Sequence, residues 1–91
     1  MVHFLRLRLR ENEVIYYATE TNKKDDEGDL VVTNKRIVIY SATENVELPV
    51  EKVEAVYSVT TSVIQIVCAN EKKYFVFMHE TRTKYALAVI R

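Results

Sequence analysis

Leu30-Val31-Val32-Thr33-Asn34-Lys35-Arg36-Ile37-Val38-Ile39-Tyr40 is the stretch that decides how this chain folds. Leu30 to Thr33 is rich in branched side chains, which suit a pleated strand. Asn34-Lys35 interrupts it as a tight turn, with Asn34 able to tolerate a left-handed backbone. Arg36 to Ala42 returns as the next strand. Its centre, Ile37 to Tyr40, is apolar at every position, so both strand faces are apolar. One face can pack in a core. The other also needs cover, from the C-terminal helix or from a second subunit.

The pattern continues outward in both directions. Towards the N-terminus, Asn22 to Gly28 is a polar solvent loop with the chain's only glycine, and Val14 to Thr19 reads as a strand. Before it, Leu5, Leu7 and Leu9 alternate with Arg6, Arg8 and Arg10, which predicts an extra N-terminal strand with leucines on one face and arginines on the other. Towards the C-terminus, Val46 to Leu48 is a short strand stopped by Pro49, which lacks a ladder donor. Val53 to Val59, Val63 to Ala69 and Lys73 to Met78 are three further strands, with Asn70-Glu71 turning between the last two. Glu80 to Arg91 changes character. Thr81 or Thr83 can cap a helix start, and Lys84, Ala86, Leu87 and Ala88 favour helix. The apolar residues of Tyr85 to Ile90 run round its whole circumference, predicting a helix buried on more than one side. The β-branched Val89 and Ile90 leave a final strand as the alternative.

Composition limits the function classes. Ninety-one residues suit a single domain, 1–91, and 48% apolar content is too high for a disordered chain. Thirteen basic residues balance thirteen acidic ones, so nucleic acid is not an expected partner. The charges are segregated: three arginines come first, then seven acids between Glu11 and Asp29, then four between Glu44 and Glu54. Such blocks suit solvated strand faces or a surface that meets a complementary one. The lone Cys68 predicts neither a disulfide framework nor a metal cluster. Met1-Val2-His3-Phe4-Leu5-Arg6 lacks the apolar run of a signal peptide, which gives the expectation of a cytoplasmic protein.

Seven strands followed by a C-terminal helix is the layout of pleckstrin-homology-like domains. Three stretches carry the resemblance: Glu13-Val14-Ile15, then Gly28 to Tyr40 with Thr33-Asn34-Lys35-Arg36 at its centre, then Val46-Glu47-Leu48-Pro49-Val50-Glu51-Lys52-Val53. They resemble the opening, the aliphatic-Thr-Asn-x-Arg-aliphatic hairpin and the hydrophobic-Pro-hydrophobic step of bacterial PH-like and GRAM-type domains. The match covers roughly residues 11–80. Glu11-Asn12 stands where the family usually opens with glycine, the closing helix of about 80–91 looks short, and the arginine segment lies outside the resemblance. The resemblance implies a mainly β fold with one C-terminal helix: a partly open PH-like barrel of about seven antiparallel strands, here with the extra N-terminal strand.

In this family the first loop commonly gathers bases around a phosphorylated headgroup. Here that loop, Thr21 to Gly28, sets Lys23 and Lys24 against Asp25, Asp26, Glu27 and Asp29, so an anionic headgroup would meet roughly cancelling fields. Lys72 and Lys73 can join from the last hairpin. His3, His79 and Cys68 have no metal-ligand spacing, and no acid–base cluster or phosphate-cradling glycine loop is present, so no cofactor and no catalytic residues are expected. Thr33 to Arg36 reads as turn chemistry, with Arg36 lying along the sheet or paired with an acid. The expected function is that of a non-enzymatic module working by protein contact, above all with itself. Peripheral binding to anionic membrane is the alternative and a small enzyme the remote one. The candidate contact residues are Arg6, Arg8, Arg10, Lys23, Lys24, Lys72 and Lys73.

Overall fold

A computed structural model describes residues 7–90. The order is β1 (Ile15–Thr21), β2 (Gly28–Thr33), β3 (Arg36–Ser41), β4 (Asn45–Pro49), a 3₁₀ turn (Val50–Lys52), β5 (Val53–Thr60), β6 (Val63–Cys68), β7 (Lys73–Phe77) and α1 (Glu80–Ile90). Except between β4 and β5, consecutive strands pair antiparallel, giving one sheet β1-β2-β3-β4 and another β5-β6-β7. The sheets do not close into a barrel. At one corner the Asn22 amide donates to the Phe77 carbonyl at 2.8 Å, which ties the end of β1 to the end of β7.

The period-two pattern sorts the side chains into faces. Leu30, Val32, Ile37, Ile39 and Leu48 point inward from the four-stranded sheet and meet Val56, Ile64, Ile66, Cys68, Val76 and Met78. Helix α1 packs Ala86 into this core, with Leu87, Val89 and Ile90 at its margin. The outer row of the four-stranded sheet, Ala18-Val31-Val38-Glu47 by register, is also shielded at its centre: Val31 is 0% and Val38 1% exposed within the single chain. The apolar-on-both-faces strand at Ile37 to Tyr40 therefore needs no second subunit.

Several sequence expectations are corrected. The predicted N-terminal strand is absent among the described residues: Leu7 to Arg10 is irregular, and Leu9, Arg8 and Arg10 are all exposed, so no alternation of faces exists there. The Leu5–Arg6 part of that expectation lies outside the described residues. Asn34 does not take the left-handed backbone; Asn12, Asp25 and Glu71 do. Gly28 opens β2 rather than closing a loop, and any Cβ there would overlap the Tyr40 carbonyl across the β2–β3 pair. The helix forms, but it is not buried all round. Thr83 and Ala86 are buried, whereas Tyr85 is 63% exposed, its ring tilted against Tyr17 at 6.4 Å between centroids. The helix start is not capped by the hydroxyl of Thr81 or Thr83. Instead the His79 ring Nδ1 accepts from the Thr81 amide at 3.3 Å.

Candidate functional site

The predicted contact residues fall in separate places. Lys23 and Lys24 are exposed on the β1–β2 loop, and the acids around them are not all solvated. Asp26 is buried and reaches across to the β3–β4 loop. Its carboxylate accepts from the Ser41 hydroxyl at 2.9 Å, the Thr43 amide at 3.3 Å and the Thr43 hydroxyl. The Thr43 and Ser41 donors, with Lys23 nearby, hold the Asp26 carboxyl below its ordinary range. Hydroxyl and amide donors of this kind would suit a phosphate oxygen. Here an internal carboxylate already takes them.

Arg8 and Arg10 belong to a different network. Arg36 forks onto Glu13, with Nε to Oε2 at 2.8 Å and Nη2 to Oε1 at 2.9 Å. It also donates to the Arg8 carbonyl at 2.7 Å and pairs with Glu47 at 3.0 Å, which in turn pairs with Arg10. The Glu13 side chain is fully buried. The Arg36 guanidinium is the main cause that lowers its carboxyl from 4.5 to about 2, against the cost of burial. Arg36 is raised reciprocally, first by its bond to Glu13. Thr33 donates its hydroxyl to Glu13 at 2.7 Å and accepts the Arg36 amide at 3.0 Å. Asn34 accepts the Val14 amide at 2.8 Å and donates to the Asn12 carbonyl at 2.9 Å, and Lys35 donates to the Glu11 carbonyl at 2.9 Å. Every residue of Thr33-Asn34-Lys35-Arg36 thus grips residues 8–14, and Arg36 takes the paired alternative. The motif fastens the lead-in segment to the hairpin, and its charges are spent internally.

Lys72 and Lys73 lie elsewhere again. Lys72 lines a cavity of about 490 Å³ walled by Glu47, Leu48, Pro49, Lys52, Cys68, Ala69, Asn70 and Tyr74, away from the β1–β2 loop. Lys73 starts β7 on the outer face of the three-stranded sheet, in register with Val67 and through it with Ala55. A polar cleft of about 600 Å³ runs between the β1 end and the helix start, lined by residues including Thr19, Glu20, Glu27, His79 and Arg82. Cys68 is buried, and burial pushes its thiol up, away from the reactive thiolate. Among the described residues no group of three His, Cys, Asp or Glu side chains is placed to hold a metal. No helix among them is long and apolar enough to cross a membrane.

The surface that sequence reasoning missed is the outer face of β5-β6-β7. Register places Ala55-Val67-Lys73, Tyr57-Gln65-Phe75 and Thr60-Val63-Phe77 in three rows on that face, while Ile64, Ile66, Cys68 and Val76 turn inward. Tyr57 and Phe75, facing each other across Gln65, are 54% and 52% exposed. Val59, in the β5 irregularity beside Thr60, is exposed as well. Exposed aromatics gathered on one sheet face mark a contact surface more often than a solvated one. A signal was available: Tyr57, Val59, Val63, Phe75 and Phe77 make the alternate positions of these strands apolar too, as at Ile37 to Tyr40.

Comparison with known proteins agrees with this fold. A family model described as "Bacterial PH domain" matches residues 9–90. The crystal structure of the C-terminal domain of an unknown protein from Leishmania infantum is similar, with a TM-score of 0.64 at 14% identity, over 92% of this chain and 86% of that one. At that identity the likeness is one of fold. No curated protein gives a significant match.

Proposed function

The chain belongs to the bacterial PH domain family, and from that premise we propose that it is a non-enzymatic module acting by protein contact through the outer face of its three-stranded sheet. One observation carries the reading: Tyr57 and Phe75 stand exposed at the two ends of one row, flanked by the apolar side chains of the rows beside it, while the outer row of the opposite sheet is buried at its centre, at Val31 and Val38. Aromatic anchors on a rigid sheet are the groups from which contact surfaces draw their affinity. Headgroup capture is disfavoured because Asp26 holds the donors at the loop crossing and Glu47 pairs with Arg10.

The test is a photo-crosslink. p-Benzoylphenylalanine in place of Phe75, irradiated in the cells that make the protein, is expected to give discrete protein adducts. The same group in place of Lys24 is expected to give none. The reading fails if position 75 gives no adduct and the purified chain instead sediments with anionic vesicles in a salt-sensitive way.

A further inference from the structure

We infer that the open corner between the two sheets binds a small amphipathic carboxylate, its acid group held by Lys52 and Lys72 and its apolar body laid against Leu48, Pro49, Cys68 and Tyr74. Because the sheets do not close, the end of β4 and the β6–β7 turn face each other across a cavity of about 490 Å³. That volume lies within the roughly 300–1,000 Å³ of small-molecule sites. Main-chain bonds fix the rim before any ligand arrives. The Ala69 amide donates to the Lys52 carbonyl at 2.8 Å, and the Cys68 amide donates to the Lys72 carbonyl at 2.9 Å. The Lys72 amide donates to the Asn70 side chain at 3.1 Å, and Glu71 takes the left-handed backbone of the turn. Two lysines twenty positions apart in the chain are thereby set on one rim.

The charges choose the head of the ligand. Glu47 is the one acid among the walls, and its carboxylate is already taken, by Arg36 at 3.0 Å and by Arg10. Lys52 and Lys72 are exposed and enter no ion pair among the described residues. Glu51 and Glu71, their neighbours in the chain, are not walls of the cavity. Glu54 bears on the Cys68 thiol through its charge, but it is not a wall either. Two cations on the rim against one acid outside it leave the mouth positive. Two ammonium groups suit a single carboxylate, whereas a headgroup with several phosphates needs more convergent donors. The floor chooses the rest of the molecule. Leu48 and Cys68 are 6% and 4% exposed and form a closed base, with Pro49 and the half-buried Tyr74 ring beside them. The lysine stems add methylene surface. An apolar body covers this floor, and a bare hydrated anion leaves it wet. Tyr57, Gln65 and Phe75 line no part of this cavity, so the inference stands apart from the contact face proposed above.

Titration of the isotopically labelled full chain with octanoate, followed by the shifts of its amide resonances, tests this. Octanoate is expected to saturate with a Kd of about 1 mM or below and to move the amides of Ala69, Asn70 and Lys72 most. Octanol and inorganic phosphate each keep one half of the ligand, and at equal concentration both are expected to move those amides far less. Lys52→Gln and Lys72→Gln should each raise the Kd about three-fold, and the double variant about ten-fold, while Lys24→Gln leaves it unchanged. All three lysines are exposed, so folding is not at stake, and unchanged thermal unfolding checks that. No saturation by about 10 mM octanoate, or shifts centred on Tyr57 and Phe75, overturns the site. An equal response to octanol overturns the anionic head, and an equal response to phosphate overturns the apolar body. A double variant that binds octanoate as the parent does overturns the two lysines as its holders.

Discussion

Arg36 occupies the centre of a buried ionic knot, and its balance depends on Glu13 keeping its charge. Removing one member of such a pair leaves the other charged and dry, which typically costs about 3 kcal/mol or more. Glu13→Gln is therefore expected to lower the unfolding free energy by about 3 kcal/mol, read from urea titration at neutral pH. The same pair sets a pH dependence of definite sign. The Glu13 carboxyl falls from 4.5 to about 2 on folding, so the folded state binds its proton less readily than the unfolded one. The stabilisation is complete above 4.5 and is lost as the pH falls towards about 2, a difference on the order of 3 kcal/mol. Other carboxylates titrate in the same range, so the difference between parent and Glu13→Gln isolates this one. That difference should shrink steadily below pH 4.5; a constant difference down to pH 2 would count against the assignment. The sequence pointed to an acid for Arg36 but not to which one. Twenty-three residues separate the pair, and only the folded lead-in segment brings them together.

At the scale of elements, the strands were legible and their ends were mostly right, because period-two patterning with Asn, Pro and Gly punctuation carries that information. Over the described part of the leucine–arginine alternation, residues 7–10, no strand forms, and the reason is definite. Alternation specifies a strand only where a neighbouring edge accepts its ladder, and here Arg36 and Glu13 hold the segment through single side-chain bonds. Gly28 was noticed as a breaker, yet its role lies in the close approach of β2 and β3. Gly28→Ala is expected to cost at least about 2 kcal/mol, since the obstacle is backbone and cannot swing aside. The helix start offers a smaller test. His79→Ala removes the acceptor for the Thr81 amide and should cost about 1 kcal/mol, with amide exchange faster at Thr81. If exchange there is unchanged, the ring is not the cap.

For the molecule as a whole, the class of fold was readable from the strand order, and the acids after Lys24 gave the expectation of cancelling fields at the first loop. Which face remains open was not readable. Ile37 to Tyr40 and Tyr57 to Phe77 both present apolar residues at alternate positions, and periodicity says nothing about which of two such sheets the rest of the chain will shield. Of the candidate basic residues, Lys23, Lys24, Lys72 and Lys73 are exposed, but they do not converge. Arg6 lies outside the described residues, so its place in that set is not decided by this fold. The absence of crossed connections has a further consequence. Among the described residues no strand pairs in both sheets, and the chain passes from one sheet to the other through Val50–Lys52, an exposed stretch containing a lysine. A single tryptic cut there would yield two pieces, each owning an entire hydrogen-bonded ladder and half of a common oily interior. Those pieces should recognise each other when mixed, with the helix of one seated against the first strand of the other, so that this small domain can serve as a split reporter.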